Sequence, residues 1–212
     1  MTNAILTSPL VLAACRLQWL RFKQSGAIRA ALLAASVLIS APAEPVRAEE
    51  AAPAPAAASE RSIKAAFLYK FLDYAEWPDS AFAQPDSPLV IGVTGADDIA
   101  AELQQITAGR KVGSRPVSVR RVREADSLAG LHMLFIGRSE SARLASLAHR
   151  ARDRAVLTVT EIPGALEHGA IVNFVLVEGR VRFEIALDNA ERSGVKLSSR
   201  LLAVAITVRT AQ

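Results

Sequence analysis

The chain has 212 residues, of which 25 are basic and 21 acidic, giving a formal net charge of +4. Residues 1–48 hold five of the basic residues and one acidic residue, so residues 49–212 carry 20 of each and a net charge near zero. The basic character belongs to the N-terminal segment and gives no reason to expect a nucleic-acid-binding protein. The only cysteine, Cys15, lies in the same segment, so residues 49–212 can form no disulfide and perform no thiol chemistry.

The N-terminal segment has the pattern of a secretory signal peptide. Four basic residues come first: Arg16, Arg21, Lys23 and Arg29. Residues 30–40 are then apolar, but this run is too short to span a bilayer, and small residues allow cleavage after Ala43 or, as we favour, after Ala48. Residues 12–15 (LAAC) resemble a lipoprotein cleavage box, yet no basic residue precedes them and a better apolar run follows. We predict a signal peptide over residues 1–48 and a mature protein that is free in the periplasm.

An aromatic-rich segment follows residues 49–59, which are rich in Ala and Pro and predict a disordered linker. The segment contains Ile63, Phe67, Phe71, Tyr74 and Trp77. Their spacing of three or four places them on one face of a helix, with Ser59 as its N-cap and Pro78 preventing continuation after Trp77. We predict a core helix that ends at Trp77. The polar tips of Tyr69, Tyr74 and Trp77 could reach solvent or a partner.

Beyond this helix, strand and helix patterns alternate along the chain. The predicted strands are residues 89–94, 116–122, 131–136 and 155–160. The predicted helices between them are residues 97–108 and 140–150. Strands separated by helices favour a parallel sheet with right-handed crossovers.

The pattern then changes to that of a β-hairpin with a two-residue turn at Glu178 and Gly179. One face pairs Leu176 with Val181, Phe174 with Phe183, and Val172 with Ile185. The other face pairs Asn173 with Glu184, Val175 with Arg182, and Val177 with Arg180. The chain then continues through residues 189–193, with Gly194 as their C′ residue, to an apolar helix around Leu197, Leu201, Leu202 and Ala205. The predicted fold is a single α/β domain over residues 60–212. Its mixed, mostly parallel sheet ends in a C-terminal β-hairpin and is flanked by helices.

Two blocks of this sequence resemble the YfiR-like family of periplasmic proteins. Residues 64–78 (KAAFLYKFLDYAEWP) are similar to the family's opening helix, and residues 181–185 (VRFEI), Ala190 and residues 193–203 agree with a later block. Residues 131–136 and 156–160 fall between them in the family's order, so the resemblance covers residues 61–205. It implies a regulator that binds and represses a membrane-bound diguanylate cyclase of the YfiN type, and so controls cyclic-di-GMP and biofilm formation. Some relatives carry cysteine pairs, which this chain lacks.

The resemblance also directs attention to charged and aromatic residues beside the matched motifs. At the helix end these are Tyr74, Glu76 and Trp77, and on the polar face of the hairpin they are Arg180, Arg182 and Glu184. We predict that they contact the periplasmic part of the cyclase. The alternative for the hairpin charges is a merely solvated face. A homodimer is also possible.

The sequence offers no set of residues for catalysis. His132, His149 and His168 lie in three different predicted elements, so we expect no metal site. Residues 137–141 (GRSES) lack the second glycine of a nucleophile elbow, and no phosphate-loop or dinucleotide fingerprint occurs. We therefore predict a protein that is not an enzyme and has no cofactor.

One location satisfies the rules for a small-ligand site. Ligands of parallel α/β sheets bind beyond the carboxyl ends of strands, near helix N-termini. Two such ends carry Thr94, Gly95, Gly137, Arg138 and Ser139. If these two ends are neighbours, their N–H groups, hydroxyls and guanidinium could hold an anion. The alternative is ordinary helix capping, with Arg138 solvated. If a ligand binds there, the protein could instead be a periplasmic solute- or nucleotide-binding module.

Overall fold

The computed structural model describes residues 55–210, with side chains from residue 59 onward. These residues belong to one compact unit, Glu50–Gln212. The predicted signal peptide (residues 1–48) and residues 49–54 of the predicted linker lie outside the described residues.

The described residues alternate between short helices and strands. The α-helices are α1 (Pro55–Phe71), α2 (Asp97–Thr107), α3 (Leu144–Arg152), α4 (Leu187–Arg192) and α5 (Ser199–Val204). The strands are β1 (Ala75–Glu76), β2 (Leu89–Thr94), β3 (Lys111–Val112), β4 (Arg115–Arg121), β5 (Met133–Ile136), β6 (Leu157–Thr160), β7 (Val172–Val177), β8 (Arg180–Ala186), β9 (Lys196–Leu197) and β10 (Thr207–Arg209). Short 3₁₀ segments occur at Asp79–Ala81, Arg138–Arg143 and Ala165–His168, the second of them kinked at Glu140.

The main sheet has eight strands in the order β10-β8-β7-β6-β5-β2-β4-β3. Only the β7–β8 and β3–β4 neighbours are antiparallel, and the other five pairs run parallel. This confirms the predicted mixed, mostly parallel sheet. A separate two-stranded ribbon joins β1 to β9.

Apolar side chains cover both faces of the sheet, as expected for parallel strands. On one face, α1 and α2 pack over β2, β5 and the hairpin, with Leu68, Phe71 and Leu103 fully buried. On the other face, Leu144 and Leu147 of α3 pack against Leu134 and Ile136. The phenyl ring of Phe71 stacks on Phe174 at 5.8 Å between ring centroids. The central strands β2, β5 and β6 are therefore a buried middle layer, whereas β4 and β10 are largely exposed.

The first helix differs from its prediction at both ends. It begins at Pro55, inside the range predicted as a linker, because proline is tolerated in the first helical turn and alanine has the highest helix propensity. It ends at Phe71 rather than at Trp77. Leu72, Asp73 and Tyr74 each donate to the carbonyl three residues earlier, which tightens the last turn. The chain then pairs with β9, where Ala75 lies opposite Leu197.

The hairpin confirms its prediction residue by residue. Phe174 lies opposite Phe183, and Asn173 opposite Glu184. Both turn residues have positive φ, 51° at Glu178 and 71° at Gly179, as a two-residue type I′ turn requires. The C-terminal strand β10, which was not predicted, runs parallel to β8 at the edge of the sheet.

Candidate functional site

The loops after β2 and β5 are neighbours. The Gly137 N–H donates to the Thr94 carbonyl at 2.9 Å, and the Ser139 hydroxyl donates to the Gly95 carbonyl at 3.0 Å. A Cβ atom at position 137 would lie 2.2 Å from the Gly95 oxygen, so only glycine fits there. The N–H of Gly137 is consumed by this backbone contact and is not directed at a ligand.

The Glu140 carboxylate lies beside the Thr94 hydroxyl. The Thr94 Oγ1 atom donates to Glu140 Oε1 at 3.3 Å, and the Arg143 guanidinium donates to Glu140 Oε2 at 2.9 Å. Arg138 turns away from this group and lies 3.7 Å from the carboxylate of Glu161. The five predicted residues therefore do not converge on one position, and their anion-binding role stays a prediction.

A buried charge cluster lies where α1 passes the end of β6. Lys64, which is only 4% exposed, contacts the carboxylates of Glu60 and Glu161. Burial of a lysine is tolerated when its charge is paired and hydrogen-bonded. Sequence reasoning missed this cluster, because Glu161 is distant from Lys64 along the chain and nothing local indicates that they pair.

A cleft of about 330 Å³ opens beside this cluster. Its walls come from α1, the loop after β6 and the β7–β8 hairpin. The lining residues include Lys64, Arg138, Glu161, Pro163, Asn173, Val175 and Glu184. Asn173 is 3% exposed, and its Oδ1 atom has no hydrogen-bond partner among the described residues. The cleft thus joins Arg138 and Glu184, which were predicted as members of two different sites.

Trp77 lies near the start of the central strand β5, at the opposite end of the strands from the cleft, and contacts His132. Its indole N–H donates to the His132 carbonyl at 2.8 Å, and its ring meets the imidazole edge-on at 5.9 Å. Phe82 stacks on the other side of that imidazole at 4.5 Å, and the Arg115 guanidinium lies 3.6 Å from the Phe82 ring centre. Trp77 therefore has a structural role in this stack.

His132 is the one residue for which a clear pKa shift is resolved among the described residues. Burial, followed by the nearby positive charge of Arg115, lowers its pKa from 6.5 to about 4, while a contact with the Ala81 backbone opposes the shift. The Val90 N–H donates to its Nδ1 atom at 3.2 Å, which requires the neutral form. His132 is thus a core histidine that is uncharged at neutral pH, and its buried Nε2 atom has no hydrogen-bond partner among the described residues.

The two groups of predicted partner contacts lie toward opposite ends of the strands. The Trp77 indole N–H donates to the carbonyl of His132, just before the start of β5. At the other end of the strands, Ile136 of β5, Thr160 of β6 and Asn173 of β7 lie at the same level. The hairpin continues four residues past Asn173 to Val177, which pairs with Arg180. Along the strand direction, Arg180 is therefore eight residues from His132, or about 26 Å at 3.3 Å per residue, whereas Glu184, opposite Asn173, is four residues or about 13 Å from it. They do not form one continuous contact surface.

The predicted contacts also differ in exposure. Glu76, Arg180 and Arg182 are exposed, and none of them forms a salt bridge with a described residue. Tyr74 and Trp77 are half-buried against the core. Any partner contact at the β1 end therefore depends mainly on Glu76.

Residues 55–210 offer little for other chemistry. They contain no group of three or more His, Cys, Asp or Glu side chains arranged to hold a metal ion. Within the same range, no helix combines the length and apolar character needed to cross a membrane.

Comparison with known families identifies the domain. A family model described as YfiR/HmsC-like (DUF4154) matches residues 61–206, which is more than two thirds of the chain. The chain belongs to the YfiR/HmsC-like family. No curated protein gives a significant match to this YfiR/HmsC-like chain.

YfiR/HmsC-like proteins are regulatory proteins of the periplasm rather than enzymes, and they work with membrane-bound partners in diguanylate cyclase signalling. The match extends from Arg61 in α1 to Ile206, the residue before β10. The aromatic helix, the hairpin and the cleft between them all lie within the YfiR/HmsC-like domain.

Proposed function

We propose that this protein binds the periplasmic part of an inner-membrane diguanylate cyclase of the YfiN type and represses it. By doing so it lowers cyclic-di-GMP and restrains biofilm formation. The observation that carries this proposal is the YfiR/HmsC-like match over residues 61–206, which spans almost the whole described domain. The specific cyclase and the sign of the control are inferred from the family resemblance.

The polar face of the hairpin is the contact surface that the exposures favour. Arg180 and Arg182 are exposed on β8, at the end of the molecule that carries the turn. Because no described residue neutralises either guanidinium, both can pair with carboxylates of a partner without first breaking a salt bridge. Glu76 supplies a second, separate contact at strand β1.

Repression of this kind needs only a difference in affinity between two states of the cyclase. A regulator that binds the inactive state about 100-fold more tightly than the active state shifts the equilibrium by ~2.7 kcal/mol. An interface with a few well-placed charge pairs can supply such a difference.

The test is deletion and complementation in a strain that expresses the cyclase. Deletion should raise cyclic-di-GMP and biofilm, and the wild-type gene should reverse both. Arg182→Glu should fail to reverse them, because it places a carboxylate where the partner's acidic groups would bind. Arg123→Glu is the matched control, since Arg123 is also exposed but follows β4 on the other side of the sheet. Both variants should show wild-type thermal unfolding.

Unchanged cyclic-di-GMP in the deletion strain, with the cyclase present, would remove this function and leave the solute-binding alternative. Full complementation by Arg182→Glu would retain the function but exclude the hairpin as its contact surface. A parallel Glu76→Lys variant tests the separate contact at strand β1. Trp77→Ala is not suitable for this test, because it would remove the indole hydrogen bond and so affect stability as well as binding.

A further inference from the structure

The edge of the main sheet that β3 and β4 form carries a run of basic residues. Residues 110–121 (RKVGSRPVSVRR) contain five cations and no acidic residue. The cations are Arg110, Lys111, Arg115, Arg120 and Arg121, and all but Arg115 are exposed. Because residues 49–212 carry a net charge near zero as a whole, this edge is a local concentration of positive charge.

Little of this charge is neutralised within the described residues. Among the five cations, only Arg121 lies within 4 Å of a described carboxylate, that of Asp97 at 3.3 Å. Both side chains of this pair are more than half exposed, so the pair is weak and a partner's carboxylate can replace it. The guanidinium groups of Arg115 and Arg120 donate to backbone carbonyls, which carry no net charge.

The acidic residues that follow this run contact groups outside it. The Glu124 carboxylate lies 3.6 Å from the Arg143 guanidinium. The Asp126 carboxylate accepts a hydrogen bond from the Arg123 N–H at 2.8 Å. The five cations of the edge are therefore in contact with one described carboxylate, that of Asp97.

The backbone of β4 has a free edge next to these cations. β4 pairs with β2 along residues 117–121, but β3 pairs only with Arg115 and Pro116. The Val122 N–H donates to β2, and the backbone groups of successive residues point to opposite sides of a strand. Val119 and Arg121 therefore direct their N–H and C=O groups away from β2. No described strand pairs with them, so an added strand can.

We propose that this edge binds an extended acidic segment of a protein partner as an additional β-strand. The main chain of the segment pairs with the backbone groups of Val119 and Arg121. Side chains alternate along a strand, so Arg120 and Arg121 project from opposite faces of the sheet. Two neighbouring acidic residues of the segment then meet one guanidinium each, and an apolar residue lies opposite Val119.

This surface is separate from the hairpin. Strands β4 and β8 are five strand spacings apart in the sheet, or roughly 24 Å at about 4.8 Å each. Both surfaces can therefore be occupied at once, and the proposal does not rest on the proposed function. An anionic membrane fits the edge less well, because lipid headgroups offer no row of donors and acceptors in the register of a strand.

A fluorescein-labelled peptide with the core Thr-Val-Glu-Glu-Val-Thr is a suitable probe, titrated into the purified mature protein and followed by fluorescence anisotropy. It should bind, and the same peptide with Lys in place of Glu should not. Arg121→Glu should weaken binding about tenfold or more, the loss expected for a charged hydrogen bond. Arg200→Glu makes the same charge change at an exposed position of α5 and should leave binding unchanged. Thermal unfolding verifies that each variant is folded.

A second arm tests whether the main chain of the peptide pairs with β4. Alternate N–H groups of an added strand face β4, so N-methylation of one alternate set should abolish binding and N-methylation of the other should not. In the protein, amide hydrogen exchange at Val119 and Arg121 should slow when the peptide binds. The Arg120 N–H already faces β2, so its exchange should change little.

The proposal is overturned if the peptide does not bind, because the cations would then serve only to keep the edge from pairing. It is equally overturned if the two N-methylated peptides bind alike, since the contact would then be electrostatic without an added strand. Binding to phosphatidylglycerol vesicles that Arg121→Glu abolishes, without any binding of the peptide, would assign the edge to a membrane surface instead.

Discussion

His132 connects several aromatic side chains to the sheet and does so only when it is neutral. Trp77 and Phe82 contact its ring, and the Val90 N–H donates to its Nδ1 atom. Protonation would lose that hydrogen bond and place a second positive charge near Arg115. The stability of the domain is therefore linked to the charge of this residue.

We expect the free energy of unfolding to fall as the pH is lowered from 6.5 to about 4. In that window the unfolded chain binds a proton at His132 that the folded protein, with its pKa of about 4, does not bind. Below pH 4 the loss in the free energy of unfolding that is due to His132 reaches roughly 3 kcal/mol, at 1.36 kcal/mol per pKa unit. Chemical denaturation of wild type and His132→Gln at several pH values measures it.

The His132→Gln variant should lose this part of the pH dependence, whatever its stability at neutral pH. His168→Gln is the control, because His168 is exposed. An unchanged pH profile in His132→Gln would show that other groups cause the acid sensitivity.

The aromatic residues of helix α1 differ strongly in burial. Phe71 is 1% exposed, and its ring lies 5.8 Å from that of Phe174 and 5.0 Å from that of Phe183. Tyr69 is half-buried, with its hydroxyl 3.4 Å from the Lys111 carbonyl near the surface. The two aromatic residues therefore contribute very different amounts to stability.

Replacing Phe71 by alanine should lower the free energy of unfolding by about 3–5 kcal/mol, the usual cost of emptying a buried phenylalanine site. Tyr69→Ala should cost much less, because part of its ring is already in water. Urea denaturation of the two variants gives the comparison. Equal, small losses in both would mean that the α1 stripe faces a partner and not the core.

Structural features that depend on residues close together in the sequence, such as the hairpin and β2, were predicted correctly. The hairpin follows from strict alternation on both sides of a two-residue turn, and its register is then fixed. Strand β2 follows from a continuous apolar run, and its predicted bounds are those observed. The early end of α1 could not be predicted, because it depends on pairing with β9 far along the chain.

The candidate site was only partly predictable for the same reason. Sequence rules placed Thr94 and Gly137 each at the end of a strand, but the structure was needed to show that these two ends are neighbours. They could not place the Glu140 side chain against Thr94 or direct Arg138 toward Glu161. Asn173 was correctly placed opposite Glu184, but its burial could not be predicted from the alternation of the strand.

At the scale of the whole molecule, we expect the mature protein to begin at Glu49. The basic residues before an apolar run and the small residues that end at Ala48 predict cleavage there. N-terminal sequencing of protein from the periplasmic fraction measures the start. Retention of Met1, or a lipid-modified Cys15 at the N-terminus, would contradict the expectation.

The packing of α1 against the hairpin also determines when α1 can be buried during synthesis and folding. Phe71 is made early, but the rings that cover it, Phe174 and Phe183, come about 100 residues later. Contacts of such long range form slowly, and chains are made from the N-terminus. The aromatic face of α1 therefore stays uncovered until β7 and β8 exist. A domain in which the aromatic face of the first helix is covered only by strands from about the last fifth of the chain is suited to crossing a membrane before it folds.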